Sequence, residues 1–284
     1  MPITFKQALT SECGFSEWAI NNKSRAKLIE VIAYLYLRQE ENAQRVIGAL
    51  EPQRRISKGR VAENVVRKLT APSAEDAKLI QLGTEAQKES ARKRVRTSVF
   101  HRDGLLFQHI SWIAARLELS DGYMTSPHVR QADKGFDGFI IQLDKSVSEI
   151  KRIVLCEDKA SELPRNLITS SVWPEIGKIR SGDRDDEILA DLVTLLKSVP
   201  NIDAEKAVDE VFWEGALEFR VAVATSENQR KAGSFLHIID GFEAIAGGKL
   251  ETRTAGVLAF KDVRDGLDVL ATEVVAKVKE IANV

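Results

Sequence analysis

The stretch KGFDGFIIQLDKSVSEIKRIVLCEDKAS, residues 134–161, puts charge where a buried strand should have none. Two apolar runs within it, 137–143 and 152–157, have the length and residue types of short strands. Asp137 opens the first run, and Glu157, Asp158 and Lys159 close the second. Side chains alternate along a strand, so Glu157 and Lys159 share one face and Asp158 takes the other. Asp137 falls on the face of Phe139, Ile141 and Leu143. The link between the runs is too short for parallel neighbours, and antiparallel pairing brings Asp137 towards Glu157. Ionised groups on an apolar sheet are costly unless they pair with each other, a metal or a phosphate. Two carboxylates and an ammonium gathered at one sheet edge suit a hard divalent cation, Mg²⁺ or Mn²⁺, which takes oxygen ligands. Such a metal lowers the pKa of a bound water and stabilises charge on a phosphate. Lys159 would then orient or help deprotonate the water, or offset charge in the transition state. The bland alternative is a solvated strand end, with Asp137 and Gly138 in a turn.

The elements that must position these residues are legible in outline. Residues 24–50 carry Leu28, Val31, Ile32, Leu35 and Leu37 at helical spacing, with Ser24 as an expected N-cap. Ser73, with Asp76 three residues on, marks a further helix start. The first ninety-odd residues therefore read as a helical region, 1–95, serving a partner-binding or regulatory role. An apolar helix is expected at about 103–117, then the two strands. Next come a helix ended by Pro200, a strand at 216–227 with Phe219, Val221 and Val223 on one face, and a helix at 228–245. A strand within 250–260 and a closing helix complete the chain. The run 152–157 is apolar on both faces, as in a sheet covered by helices on each side. The expectation is an α/β (α+β) fold with a mixed sheet flanked by helices over residues 96–284.

Composition narrows the function classes. Net charge is −1 at pH 7, so contact with nucleic acid must come from local clustering. One cluster is Arg92, Lys93, Arg94, Arg96 and Arg102, just before the central helix, and a weaker one is QRRISKGR, 53–60. Two cysteines, Cys13 and Cys156, give neither a disulfide framework nor a four-cysteine zinc site, and their separation excludes a two-cysteine finger. His101, His109, His128 and His237 lack metal-ligand spacing, GxSxG is absent, and GGK at 247–249 lacks the rest of a P-loop. Trp18, Trp112, Trp173 and Trp213 read as core or interface anchors, with Trp173 a second candidate for contact with DNA. With no apolar run of 18 residues, the expectation is a soluble cytoplasmic chain without membrane contact.

Asp137 followed, after about twenty residues, by Glu157-Asp158-Lys159 resembles the signature of the PD-(D/E)xK nuclease superfamily. Phe136 stands where the motif name has Pro. The resemblance spans roughly residues 100–230 and implies a restriction-endonuclease-like sheet. It implies Asp137 and Glu157 as metal ligands, the backbone carbonyl of Asp158 as a third oxygen, and Lys159 as the catalytic lysine. Gln108 resembles a polar position on the family's preceding helix, with Glu118 the other candidate; Lys178, Arg180 and Arg184 resemble basic positions on the helix that follows. The Gly104-to-Gln108 pattern is similar to nuclease subunits of bacterial anti-phage systems, Hachiman-type or related. The implied activity is Mg²⁺- or Mn²⁺-dependent cleavage of DNA, under control of a partner protein such as a helicase or ATPase, with a homodimer also open. The rival expectation is a non-catalytic DNA-binding or assembly subunit that keeps the fold.

Overall fold

A computed structural model of the chain describes residues 1–55, 60–128, 136–143, 150–197, 199, 203–205 and 217–283. Residues 56–59 of the weaker basic cluster, Pro200 and Trp213 lie outside the described residues. Seven strands form one mixed sheet in the order β1-β2-β7-β6-β5-β4-β3. They are β1 (Ile3–Leu9), β2 (Gly14–Ile20), β3 (Tyr123–Met124), β4 (Gly138–Leu143), β5 (Ile150–Ala160), β6 (Leu217–Ser226) and β7 (Arg253–Phe260). Strands β2, β7, β6 and β5 run parallel, and antiparallel neighbours flank them on both sides. The expected α+β class holds.

The helices are α1 (Arg25–Tyr36), α2 (Glu40–Ile47), α3 (Val61–Leu69), α4 (Ala74–Leu82), α5 (Glu85–Glu118), α6 (Pro164–Leu167), α7 (Trp173–Arg180), α8 (Asp185–Leu196), α9 (Phe242–Ala246) and α10 (Val263–Ala282). They divide between the two faces of the sheet. On one face, Val154, Cys156, Ala222, Ala224 and Leu258 meet α1, α5 and α10 in a single core. On the other, Ile153, Leu155, Phe219, Val221 and Val223 meet α7, α8 and α9. Burial on both faces is why β5 and β6 are apolar without alternation. Helix α10 shows the pattern that docks it: Val263, Leu267, Leu270, Ala271, Val274 and Val278 are buried along one stripe. Asp262 caps it, accepting from the backbone N–H of Arg264 (2.9 Å) and Asp265 (3.1 Å).

The helical region expected over 1–95 is corrected twice. Residues 3–20 are not helical: they form an antiparallel hairpin whose second strand pairs with β7. The alternation Ile3, Phe5, Gln7 is a strand period too short to stand out beside the helical runs after it. The proposed boundary at 95/96 falls inside α5, an unbroken helix of 34 residues opened by a capping box of Thr84 and Gln87. The helix expected over 228–245 is also replaced, by short turns and the five-residue α9, because Gly233 and Gly241 take positive φ. After β5, α7 carries Lys178 and Arg180, which the resemblance put on a following helix, while α6 had no counterpart in the sequence.

Close approach of strands fixes one residue type. Trp18 lies across β7, and a Cβ on Gly256 would stand 2.1 Å from its Cζ2. Gly256→Ala is therefore expected to destabilise the protein by about 1–3 kcal/mol through overpacking, measured by urea unfolding. A variant of wild-type midpoint would show that the Trp18 ring gives way freely.

Candidate functional site

The site forms where β4 begins and β5 ends. Gly138 pairs with Cys156, so the next step outward sets Asp137 at Glu157. The backbone N–H of Asp137 donates to the carbonyl of Cys156 (3.1 Å), which holds this register at the strand end. Lys159, two residues beyond Glu157, returns to the same face and bridges the two carboxylates. Its Nζ stands 3.4 Å from Asp137 Oδ2 and forms a close ion pair with Glu157. The side chains of Asp137 and Glu157 are each 12% exposed and that of Lys159 is 23% exposed, so the cluster is set back but open.

Helix α5 supplies the fourth member. Gln108 Nε2 donates to Asp137 Oδ1, while Asp137 Oδ2 accepts from the backbone N–H of Asp158 (2.7 Å). The amide must face this way, since its oxygen would repel the carboxylate. That leaves Gln108 Oε1 buried with no hydrogen-bond partner among the described residues. Glu118 stands ten residues further along α5, about 15 Å on at 1.5 Å per residue, beside a cavity lined by Arg152 and Glu218. Gln108, not Glu118, meets the cluster.

Asp158 points to the opposite face, as strand alternation requires. There Ser111 Oγ donates to Asp158 Oδ1 (2.5 Å), and Arg220 of β6 stands 3.6 Å from the same oxygen. Neither Ser111 nor Arg220 was singled out from sequence. The available signal was an arginine inside the apolar strand β6, with Ala222, Ala224 and Ser226 beyond it on its own face.

Electrostatics follow from this crowding. Burial first, and then the charge of Asp137, push the Glu157 carboxyl up to about 7, with Lys159 pulling the other way. Burial likewise raises Asp158, against the pull of Arg220. Burial alone would lower Lys159, but Asp137 and Glu157 outweigh it and hold the ammonium above its ordinary range. Lys159 is therefore a fixed positive charge.

Among the described residues, no group of three or more His, Cys, Asp or Glu side chains stands in a metal-holding arrangement. The set expected here is different: two carboxylates and a main-chain carbonyl, with the unpartnered Gln108 Oε1 beside them. Every one of these donors is oxygen, which is what Mg²⁺ or Mn²⁺ takes. The donor chemistry fits.

The remaining predicted residues divide. Arg92, Lys93, Arg94 and Arg96 are exposed on the first half of α5. Arg94 pairs with Asp76 (2.6 Å) and Arg92 loosely with Glu89 (4.0 Å), contacts worth little at a surface. Arg102 is corrected. It is 2% exposed and its guanidinium is spent on Asp103 and Asp268, so it ties α5 to α10 and does not face a ligand. Trp173 is a core anchor and does not face DNA: it is buried, stacks on Phe242 at 5.1 Å and donates to the carbonyl of Asp240 (3.3 Å). His109 is packed against Tyr36 with ring centroids 3.8 Å apart, and burial pushes its pKa down to about 3. Lys178 and Arg184 line a cleft of about 750 Å³ that reaches Glu157, but both are paired with Glu175, and Asp183, Glu187 and Asp191 make its wall acidic. Arg180 lies at the end of α7, outside that lining.

No family model matches the chain, and no curated protein matches it. No helix among the described residues is long and apolar enough to cross a membrane.

The buried carboxyls carry a pH signature. Glu157 titrates higher in the fold than its ordinary 4.5, so it stabilises the metal-free protein most when protonated. That contribution is complete below about 4.5 and is lost as pH rises through about 7. The melting temperature of Glu157→Gln should therefore fall less steeply than wild type across this window, the remaining slope belonging to Asp158 and the other carboxyls that burial raises, Asp103, Glu118 and Glu218. Parallel slopes would place the buried proton on another group.

Proposed function

We propose that the protein is a divalent-metal-dependent deoxyribonuclease that hydrolyses phosphodiester bonds at Asp137, Glu157 and Lys159. The observation that carries this reading is the convergence of two carboxylates on one ammonium at the open end of β5, with Gln108 fixing Asp137 from α5. Asp137, Glu157 and the backbone carbonyl of Asp158 would hold the cation. When bound, the metal would supply a water of lowered pKa and charge for the leaving oxygen. Gln108 keeps one oxygen of Asp137 occupied, so that the carboxylate presents a fixed direction. Lys159, held protonated, acts as a positive charge towards the phosphate and not as a base.

The acidic wall of the cleft beside Glu157 repels phosphate, so DNA would approach along α5. This helix runs against the direction of β5: Ser111 meets Asp158 while Glu118, seven residues on, lies beside Arg152 and Val154, so residues before 100 project past the strand end. Arg96 and Arg92 stand about 18 Å and 24 Å beyond Gln108 along the axis. That reach covers roughly five to seven base pairs at 3.4 Å each. An anti-phage role, a controlling helicase or ATPase partner and a homodimer are further parts of this proposal, taken from the family resemblance alone.

Cleavage of plasmid and linear DNA with Mg²⁺ or Mn²⁺ tests it. Glu157→Ala and Lys159→Ala, at unchanged folded stability, should each lower the rate by about 10²-fold or more. An Arg92→Ala/Arg96→Ala pair should cut DNA normally at low salt but lower the salt dependence of binding by about two phosphate contacts. Salt-sensitive DNA binding with no cleavage, even beside a partner protein, would favour a non-catalytic DNA-binding or assembly subunit. Cleavage that survives both single substitutions would remove the site.

A further inference from the structure

We infer that Arg220 is a positioning residue for this site, setting the direction of Asp137 through Ser111 and Asp158. The inference rests on the nuclease reading only for what Asp137 then holds. Arg220 is 5% exposed and lies on β6, on the face of the sheet opposite Glu157 and Lys159, so it touches neither metal nor substrate. A buried guanidinium is costly unless its donors are met, and here they are met by the elements that carry the site. Nη1 donates to Ser111 Oγ (2.7 Å) and Nη2 to the Ser111 carbonyl (3.2 Å), and Nη1 stands 3.6 Å from Asp158 Oδ1. The plane of the group rests over the Trp18 ring, 5.0 Å from its centroid. Gly256 on β7 leaves room for the Trp18 ring that backs it.

Two separate paths lead from this guanidinium to one carboxylate. Ser111 and Gln108 are one turn apart on α5, so the bonds that fix the height of Ser111 also fix Gln108, which donates to Asp137 Oδ1. Asp158, held from behind by Ser111 and Arg220, donates its N–H to Asp137 Oδ2 (2.7 Å). Both oxygens of Asp137 are thus oriented by groups that Arg220 holds. The backbone carbonyl of Asp158, in the adjoining peptide plane of the same residue, is positioned with them. Lysine in place of Arg220 would keep the charge but lose the planar fork that grips Ser111 twice.

Calorimetric titration of the full-length metal-free protein with Mn²⁺, paired with DNA-cleavage kinetics and melting temperatures, tests the assignment. Arg220→Lys and Ser111→Ala should weaken Mn²⁺ binding, Arg220→Lys by about 10- to 100-fold as for other residues that orient metal ligands. Both should leave KM for DNA unchanged while kcat at limiting metal falls. Ser111→Ala, which removes one hydroxyl, carries the test if Arg220→Lys does not fold. Wild-type Mn²⁺ affinity in folded variants overturns the role of Arg220 and leaves the nuclease reading standing. A wild-type protein that takes up no Mn²⁺ and cuts no DNA overturns that reading, and the role of Arg220 with it.

Discussion

Holding Asp137, Glu157 and Asp158 together at the end of one strand is the constraint on which the rest of the structure turns. Two like charges about 4 Å apart repel by roughly 4 kcal/mol at the effective dielectric of a protein surface, and more where water is excluded. The fold answers with one cation on each side of β5. Lys159 meets Asp137 and Glu157 on the outer face, and Arg220 with Ser111 meets Asp158 on the inner. Strand alternation makes this division possible, because it sends consecutive acids to opposite faces. Each cation then needs its own supporting element, which ties the cluster to α5, β6 and, through Trp18, to β2.

Helix α5 is where these demands meet. Its second half is core, with Leu106, Phe107, Ile110 and Ile113 fully buried, and the polar residues Gln108 and Ser111 interrupt that face only where the sheet presents carboxylates. One turn before the apolar part, Arg102 and Asp103 lock the helix to α10 through Asp268 and Arg264. Asp103 is fully buried, and burial raises its carboxyl against the pull of Arg264 and Arg102. The pair stops the helix from sliding along the sheet. A shift of one residue, about 1.5 Å, would be enough to part Gln108 from Asp137. Beyond this lock the same helix becomes an exposed basic arm backed by α4.

How much of this was legible in the sequence depended on whether the cue was local. Asp137, Glu157 and Lys159 could be placed together because strand alternation and a short connection are both written within thirty residues. Gln108 could be matched by resemblance, and the structure brings it to Asp137. Ser111 and Arg220 were invisible for a different reason: their partner, Asp158, is 47 and 62 positions away respectively, and only the strand order says who faces whom. Arg102 was misread because a basic run looks uniform in one dimension, while helix periodicity buries one member and exposes the rest. The hairpin at residues 3–20 was lost among helical neighbours, since seven-residue strands that pair with the far end of the chain carry little periodic signal of their own.

Lys159 poses the remaining physical question for the proposed chemistry. In the metal-free protein its ammonium spends its charge on Asp137 and Glu157, the two groups that a cation would need. For Lys159 to meet a phosphate, it must release at least one of them, and the carboxylate it leaves must find another positive partner at once. Glu157, pushed up to about 7 by burial and the charge of Asp137, would meet that demand by giving up a proton where a cation is held. Asp137 is held differently, with Gln108 and the Asp158 N–H fixing both of its oxygens. The cluster is therefore asymmetric, with one carboxylate rigidly aimed and the other free to change partner. In the proposed chemistry, the lysine between them would be the group that moves.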